Sequence, residues 1–213
     1  MGRPKTYDRD AALKLACEAF WAHGYGQLGV RALEIQTGLN QFAIRTDFGG
    51  KEGLYVEALR FYIDLTERQA LAPMKTAGVD SIAAFFRSLV SDGSPTSSAW
   101  GCLVVNSGIE NAEVGSSRVQ AVASAYWRTL GDHFSAALRR SLDRGEVVLD
   151  VDGDVDELSG ALVVAVMGVH TANRAAADNV AGAPLVTVVL RLIDSWKRRT
   201  PASLDLKAAR ELR

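Results

Sequence analysis

The stretch Val30-Arg31-Ala32-Leu33-Glu34-Ile35-Gln36-Thr37-Gly38-Leu39-Asn40-Gln41-Phe42-Ala43-Ile44 reads as two short helices joined by a tight turn. The first runs about Val30–Thr37 and is broken by Gly38. Asn40 suits the N-cap of a second, about Gln41–Asp47, which Gly49-Gly50 ends. Leu33, Leu39 and Ile44 fall where they can face inward, and Gln41, Arg45 and Thr46 where they face out. That is the layout of a helix-turn-helix, although the stretch alone also fits an ordinary helical hairpin. A short helix that must protrude needs apolar residues behind it, so that polar side chains near its N-terminus reach the major groove.

Outward from this stretch the chain is helical. Leu13, Ala16, Cys17 and Phe20 recur at spacings of three and four, with Asp8 as a cap and Gly24 as a stop. A long helix begins near Lys51, with Leu54, Tyr55, Ala58, Leu59, Tyr62 and Leu65 on one face. Further helices are expected over about 80–90, 101–111, 117–144, 154–177 and 184–198, with Asp154 and Glu157 as a capping box. Ser91–Ala99 is the most loop-like segment, and Val147–Val151 is the one candidate strand. The expected fold is all-α: a three-helix helix-turn-helix head (1–50) on a larger C-terminal helical bundle (51–200), followed by a polar tail (201–213).

The 213 residues are 48% apolar and 23% charged, ordinary for a folded domain, and 24 Lys and Arg against 25 Asp and Glu exclude a uniformly basic coat. Residues 1–51 are locally basic, with seven cations (Arg3, Lys5, Arg9, Lys14, Arg31, Arg45, Lys51) against five acids (Asp8, Asp10, Glu18, Glu34, Asp47). No apolar run approaches ~18 residues, so no membrane span is expected. Met-Gly-Arg-Pro-Lys lacks the apolar core of a signal peptide, which gives a cytoplasmic expectation. Cys17 and Cys102 build neither a disulfide framework nor a zinc site. Gly24-Tyr25-Gly26-Gln27-Leu28-Gly29 matches a dinucleotide fingerprint by letter, but it follows an amphipathic helix and is read as a helix stop and linker. The three histidines form no HExxH or ExxH pair, and neither Gly-x-Ser-x-Gly nor a Walker loop occurs. No enzyme activity, catalytic residue, metal or cofactor is therefore expected. A Cys102/His170 nucleophile pair stays open beside the reading of Cys102 as a buried small hydrophobe.

Three motifs flank the opening stretch: Phe20-Trp21-Ala22-His23-Gly24-Tyr25 before it, Thr37-Gly38-Leu39-Asn40 at its turn, and Phe48-Gly49-Gly50-Lys51-Glu52-Gly53-Leu54 after it. In this order they resemble the TetR family of one-component transcriptional repressors over about the first sixty residues. Gly101-Cys102-Leu103-Val104-Val105-Asn106 resembles the start of a ligand-domain helix in one subgroup. The chain departs from the family where Leu28-Gly29 replaces Ser or Thr, where Glu34 replaces a small residue, and where Ile44-Arg45 replaces Leu-Tyr. The resemblance implies a homodimeric repressor on a double-stranded DNA operator, released when a small-molecule effector reorients the two heads. Gln41, Phe42 and Arg45 are the candidate base contacts. Asn40, Thr46, Lys51, Arg31 and the Arg3/Lys5 arm are the phosphate candidates.

For the effector, Trp100, Trp127, Phe134 and Met167 are expected to wall a cavity. Asn106, His170 and Arg174 would orient the polar end of an apolar or aromatic ligand. Core packing of the same aromatics is the alternative. Leu162–Val169 and Leu185–Ile193 are apolar almost all round, which points to burial against a second subunit. A helical small-molecule carrier or enzyme without DNA binding is the competing function.

Overall fold

The computed structural model describes residues 7–149 and 155–197. Arg3, Lys5, Asp154 and the tail at 201–213 lie outside them. The head is built from α1 (Arg9–Gln27), α2 (Val30–Thr37) and α3 (Gln41–Asp47). Asp8 caps α1, accepting from the amides of Asp10 and Ala11. Gly24 does not end α1 as expected; it kinks it, at φ 79° and ψ 165°. The positive φ disfavours a side chain there, and the Glu110 carboxylate lies in the space a Cβ would take. The dinucleotide-like motif is thus a kink that receives Glu110.

The body begins with α4 (Gly50–Thr66), which runs on through a π turn (Glu67–Leu71) and a 3-10 turn (Ala72–Lys75). It continues with α5 (Val79–Ser88), α6 (Leu103–Val114), α7 (Ser117–Asp143), α8 (Val155–Ala176) and α9 (Ala183–Trp196). Of the candidate strand, residues 147–149 are described and make a single bridge, between Val147 and Lys197, while 150 and 151 lie outside the described residues. One core runs from head to body: Phe20, Leu33, Leu39 and Ile44 are buried with Leu54, Tyr55 and Leu59 of α4. It continues through Phe85, Phe86, Leu130 and Phe134 to Leu162, Val166 and Val189.

By length and composition α8 is apolar enough to cross a membrane, with a mean hydropathy of 1.3, although no uninterrupted apolar run in it is that long. In the fold it packs on α7 and α9. Leu162, Val166 and Val169 face that packing, together with the polar Ser159, His170 and Asn173.

Candidate nucleic-acid interface

The turn between α2 and α3 is set by three local devices. Gly38 takes the left-handed conformation at φ 71°, and its amide donates back to the Glu34 carbonyl. The buried Thr37 hydroxyl donates to the Leu33 carbonyl at 2.6 Å and accepts from the Leu39 amide at 3.2 Å. Asn40 caps α3, its Oδ1 accepting from the Ala43 amide at 2.8 Å, which leaves its Nδ2 hydrogens free to donate. Leu33, Leu39, Ala43, Ile44 and Phe48 form the buried underside.

The opposite face carries the candidate base contacts. Gln41, Phe42 and Arg45 are exposed, Phe42 by 75%. An aromatic ring this bare on a seven-residue helix contributes nothing to the core. Glu34 lies along the edge of the motif without separating its helices: Gln41 Nε2 donates to Glu34 Oε2 at 3.2 Å. Ile35, 78% exposed on α2, is a further apolar group bare in the head, and the sequence reading did not single it out.

The phosphate candidates differ in what they have free. Arg31 and Asn40 are exposed. The Thr46 hydroxyl bonds back to the Phe42 carbonyl at 2.9 Å, so its proton is already committed. Lys51 is half-buried, its ammonium 4.1 Å from the centroid of the Tyr25 ring, and that burial lowers its pKa. The base of α3 is braced by the Tyr7 hydroxyl, which donates to Asp47 Oδ2 at 2.6 Å. It is braced also by Arg9, which sits over the Phe48 ring and pairs with Glu57 at 3.2 Å.

The residues expected to hold an effector do other work. Arg174 Nη1 donates to the main-chain carbonyls of Trp21, at 3.0 Å, and Trp100, at 3.1 Å. Asn106 Nδ2 donates to the Trp100 carbonyl at 2.9 Å, and Trp21 Nε1 donates to the Gly101 carbonyl at 3.1 Å. Trp100 is exposed and edge-on to Trp21. With the Tyr25 amide donating to Glu110 Oε2 at 2.6 Å, these bonds join the head to α6 and α8. Trp21 and Glu110, both absent from the expected set, are central to that joint. Phe134 is core, packed on Phe85 and Phe86. Trp127 packs on Tyr126, and Met167 is half-buried against the core. His170 is buried with Nδ1 unpartnered, and burial lowers its pKa to about 4. Cys102 is buried, with its thiol pKa raised by desolvation, the reverse of an activated nucleophile.

A cleft of about 650 Å³ opens instead between α4 and α7, lined by Arg60, Ile63, Asp64, Glu67, Arg118 and Val122, with Tyr126 among its other walls. None of the seven expected effector residues lines it.

No family model matches the chain. It is 33% identical over 108 residues to the HTH-type transcriptional repressor ComR of Escherichia coli (strain K12), a match covering 49% of this chain and 51% of that protein. The matched region thus spans about half the length of the curated relative. Among solved structures, a cysteine mutant of the TetR family transcriptional regulator CifR, complexed with 26-base-pair operator DNA, superposes with a TM-score of 0.71. The identity is 26%, over 92% of this chain and all of that one. A TetR family regulator from Cytophaga hutchinsonii superposes at 0.76 with 15% identity, over 92% of this chain and all of that one, a likeness of fold.

Proposed function

We propose that this chain, a TetR family protein by its fold, is a sequence-specific DNA-binding transcriptional regulator that represses as a homodimer. On this reading the head at 1–50 binds DNA, and 51–200 bind the effector and the partner subunit. The observation that carries it is the bare face of α3. Gln41, Phe42 and Arg45 stand clear of a helix whose other face is fully buried and whose N-terminus is capped by Asn40. Arg45 offers the fork that matches guanine, and Phe42 offers an apolar surface for a thymine methyl. The operator-bound CifR structure supports the reading.

A two-fold dimer brings two recognition helices to two half-sites. The partner surface we assign is the outer face of α8 and α9, where Val164 (65% exposed), Leu185, Val188 (58%) and Leu192 are bare. The effector site is the cleft between α4 and α7, whose occupant would release the operator.

Selection of bound duplexes from a random pool tests the reading. The expected product is a site with two related halves one helical turn or a multiple apart. Recovery of no enriched sequence would favour the alternative, a helical carrier or enzyme that does not bind DNA.

A further inference from the structure

The cleft between α4 and α7 has a chemical polarity. The two helices run side by side in the same direction. Ser116, the N-cap of α7, donates to Glu52 Oε1 at 2.6 Å near the start of α4, and His133 Nε2 lies 3.3 Å from Glu67 beyond its end. Ile63, Val122, Ala125 and Tyr126 make the middle of the cleft apolar. At the end away from the head, Glu67 is matched by His133 at 3.3 Å and Lys75 at 4.0 Å. Asp64 has Arg60 and Arg68 one helical turn to either side but forms an ion pair with neither; Arg68 Nε donates instead to the Asp64 main-chain carbonyl at 3.1 Å. Nearer the head, Arg60 pairs with Glu57 at 2.8 Å.

Arg118 is different. Its guanidinium lies beside Gly53 in the first turn of α4. Among the described residues it has no hydrogen-bonded or ion-paired acid, and its neighbours one turn on along α7, Ala121 and Val122, are apolar. The cleft is therefore apolar in its middle, and of its two lining arginines Arg118, at the head end, is the one that holds no acid among the described residues.

We propose that this cleft binds a small apolar monocarboxylate, its carboxylate on Arg118 and its tail along Ile63, Val122, Ala125 and Tyr126. The proposal rests on the effector reading above and names the effector's chemical class. A guanidinium receives a carboxylate through two parallel N–H···O bonds, and the apolar walls take the tail out of water. The ligand's charge would then sit at the turn of α4 that packs on Phe48, the residue closing α3.

Calorimetry on the full chain without DNA tests this, with sodium octanoate, octylamine and 1-octanol as probes. Octanoate is expected to bind, and the amine and alcohol to bind about tenfold more weakly or worse. Arg118→Ala should weaken octanoate about tenfold and Arg118→Lys less. Ala125→Trp should abolish binding by filling the cleft, with circular dichroism confirming that each variant folds. Equal binding of octylamine or octanol, octanoate binding indifferent to Arg118→Ala, or no octanoate binding each overturns the proposal. DNA is absent from the measurement, so a failure here leaves the operator reading standing. A chain that binds octanoate and selects no duplex would sink that reading alone.

Discussion

Arg45 and Gln41 share the exposed face of α3 but enter it differently prepared. Gln41 has one amide hydrogen held by Glu34, which fixes the orientation of its side chain. Arg45 is exposed and its five donors are open to a base or a phosphate. If Arg45 reads guanine, Arg45→Ala should cost about 1–3 kcal/mol and relax specificity at one base pair, as read by competition with operators changed singly. A uniform loss across all sequences would place it on phosphate. Glu34→Ala frees the Gln41 amide, so the same competition should show broadened preference at the base Gln41 faces; an unchanged preference would remove Glu34 from recognition. His170 carries a prediction about stability. The folded chain holds it neutral down to about pH 4, whereas the unfolded chain protonates it near the ordinary 6.5. Between those values the unfolded state binds the extra proton, so stability is lost as pH falls from 6.5 towards 4, by up to about 3 kcal/mol. Urea unfolding across that range should show the slope, and His170→Leu should flatten it.

The short helices depend on their ends more than on their length. Asn40→Ala removes the only side-chain cap of a seven-residue helix, and should lower stability by about 1 kcal/mol. It should weaken DNA binding further, because α3 must be formed to protrude. Gly53 lets the first turn of α4 close on Phe48, whose carbonyl occupies the place of a Cβ. Gly53→Ala should thus shift the base of α3 and reduce operator affinity more than thermal stability, compared by duplex titration and melting. The boundaries of α2 and α3 were legible in the sequence because their signals are local: Gly38, Asn40 and Gly49 act within a residue or two. The partners of the polar side chains in the body were not legible, because a polar side chain's partner is set by distant chain. Arg174 bonds to the carbonyl of Trp21, 153 positions away, and nothing in the spacing of His170 and Arg174 announces it. Gly24 reads as a stop by type, but in the fold it is a kink, after which the Tyr25 amide donates to Glu110 on α6. Helices apolar almost all round hide their register as well. Val166 and Val189 look as suited to a partner as Val164 and Val188, yet the first two are buried within the chain.

At the scale of the molecule, the head and the body share one core and are joined at Trp21, Gly24 and Arg174, so the position of α3 depends on how the body is held. On the proposed reading two such heads must be fixed to one another for both to reach DNA, and the bare stripe of Val164, Leu185, Val188 and Leu192 is the surface assigned to that task. Val164→Asp combined with Val188→Asp should give a folded monomer by sedimentation, since both side chains already face out. Its operator affinity should drop sharply as the two heads cease to act together. Wild type sedimenting as a monomer at micromolar concentration would contradict the assignment. The most direct measurement is the affinity of the wild-type chain for its selected duplex and for a scrambled duplex of equal length, titrated over a range of salt. A chain that reads sequence through α3 should prefer the selected duplex by about 10³-fold or more, with affinity falling steeply with salt and the preference diminished in Arg45→Ala. Equal affinity for the two duplexes, or none for either, would contradict the account.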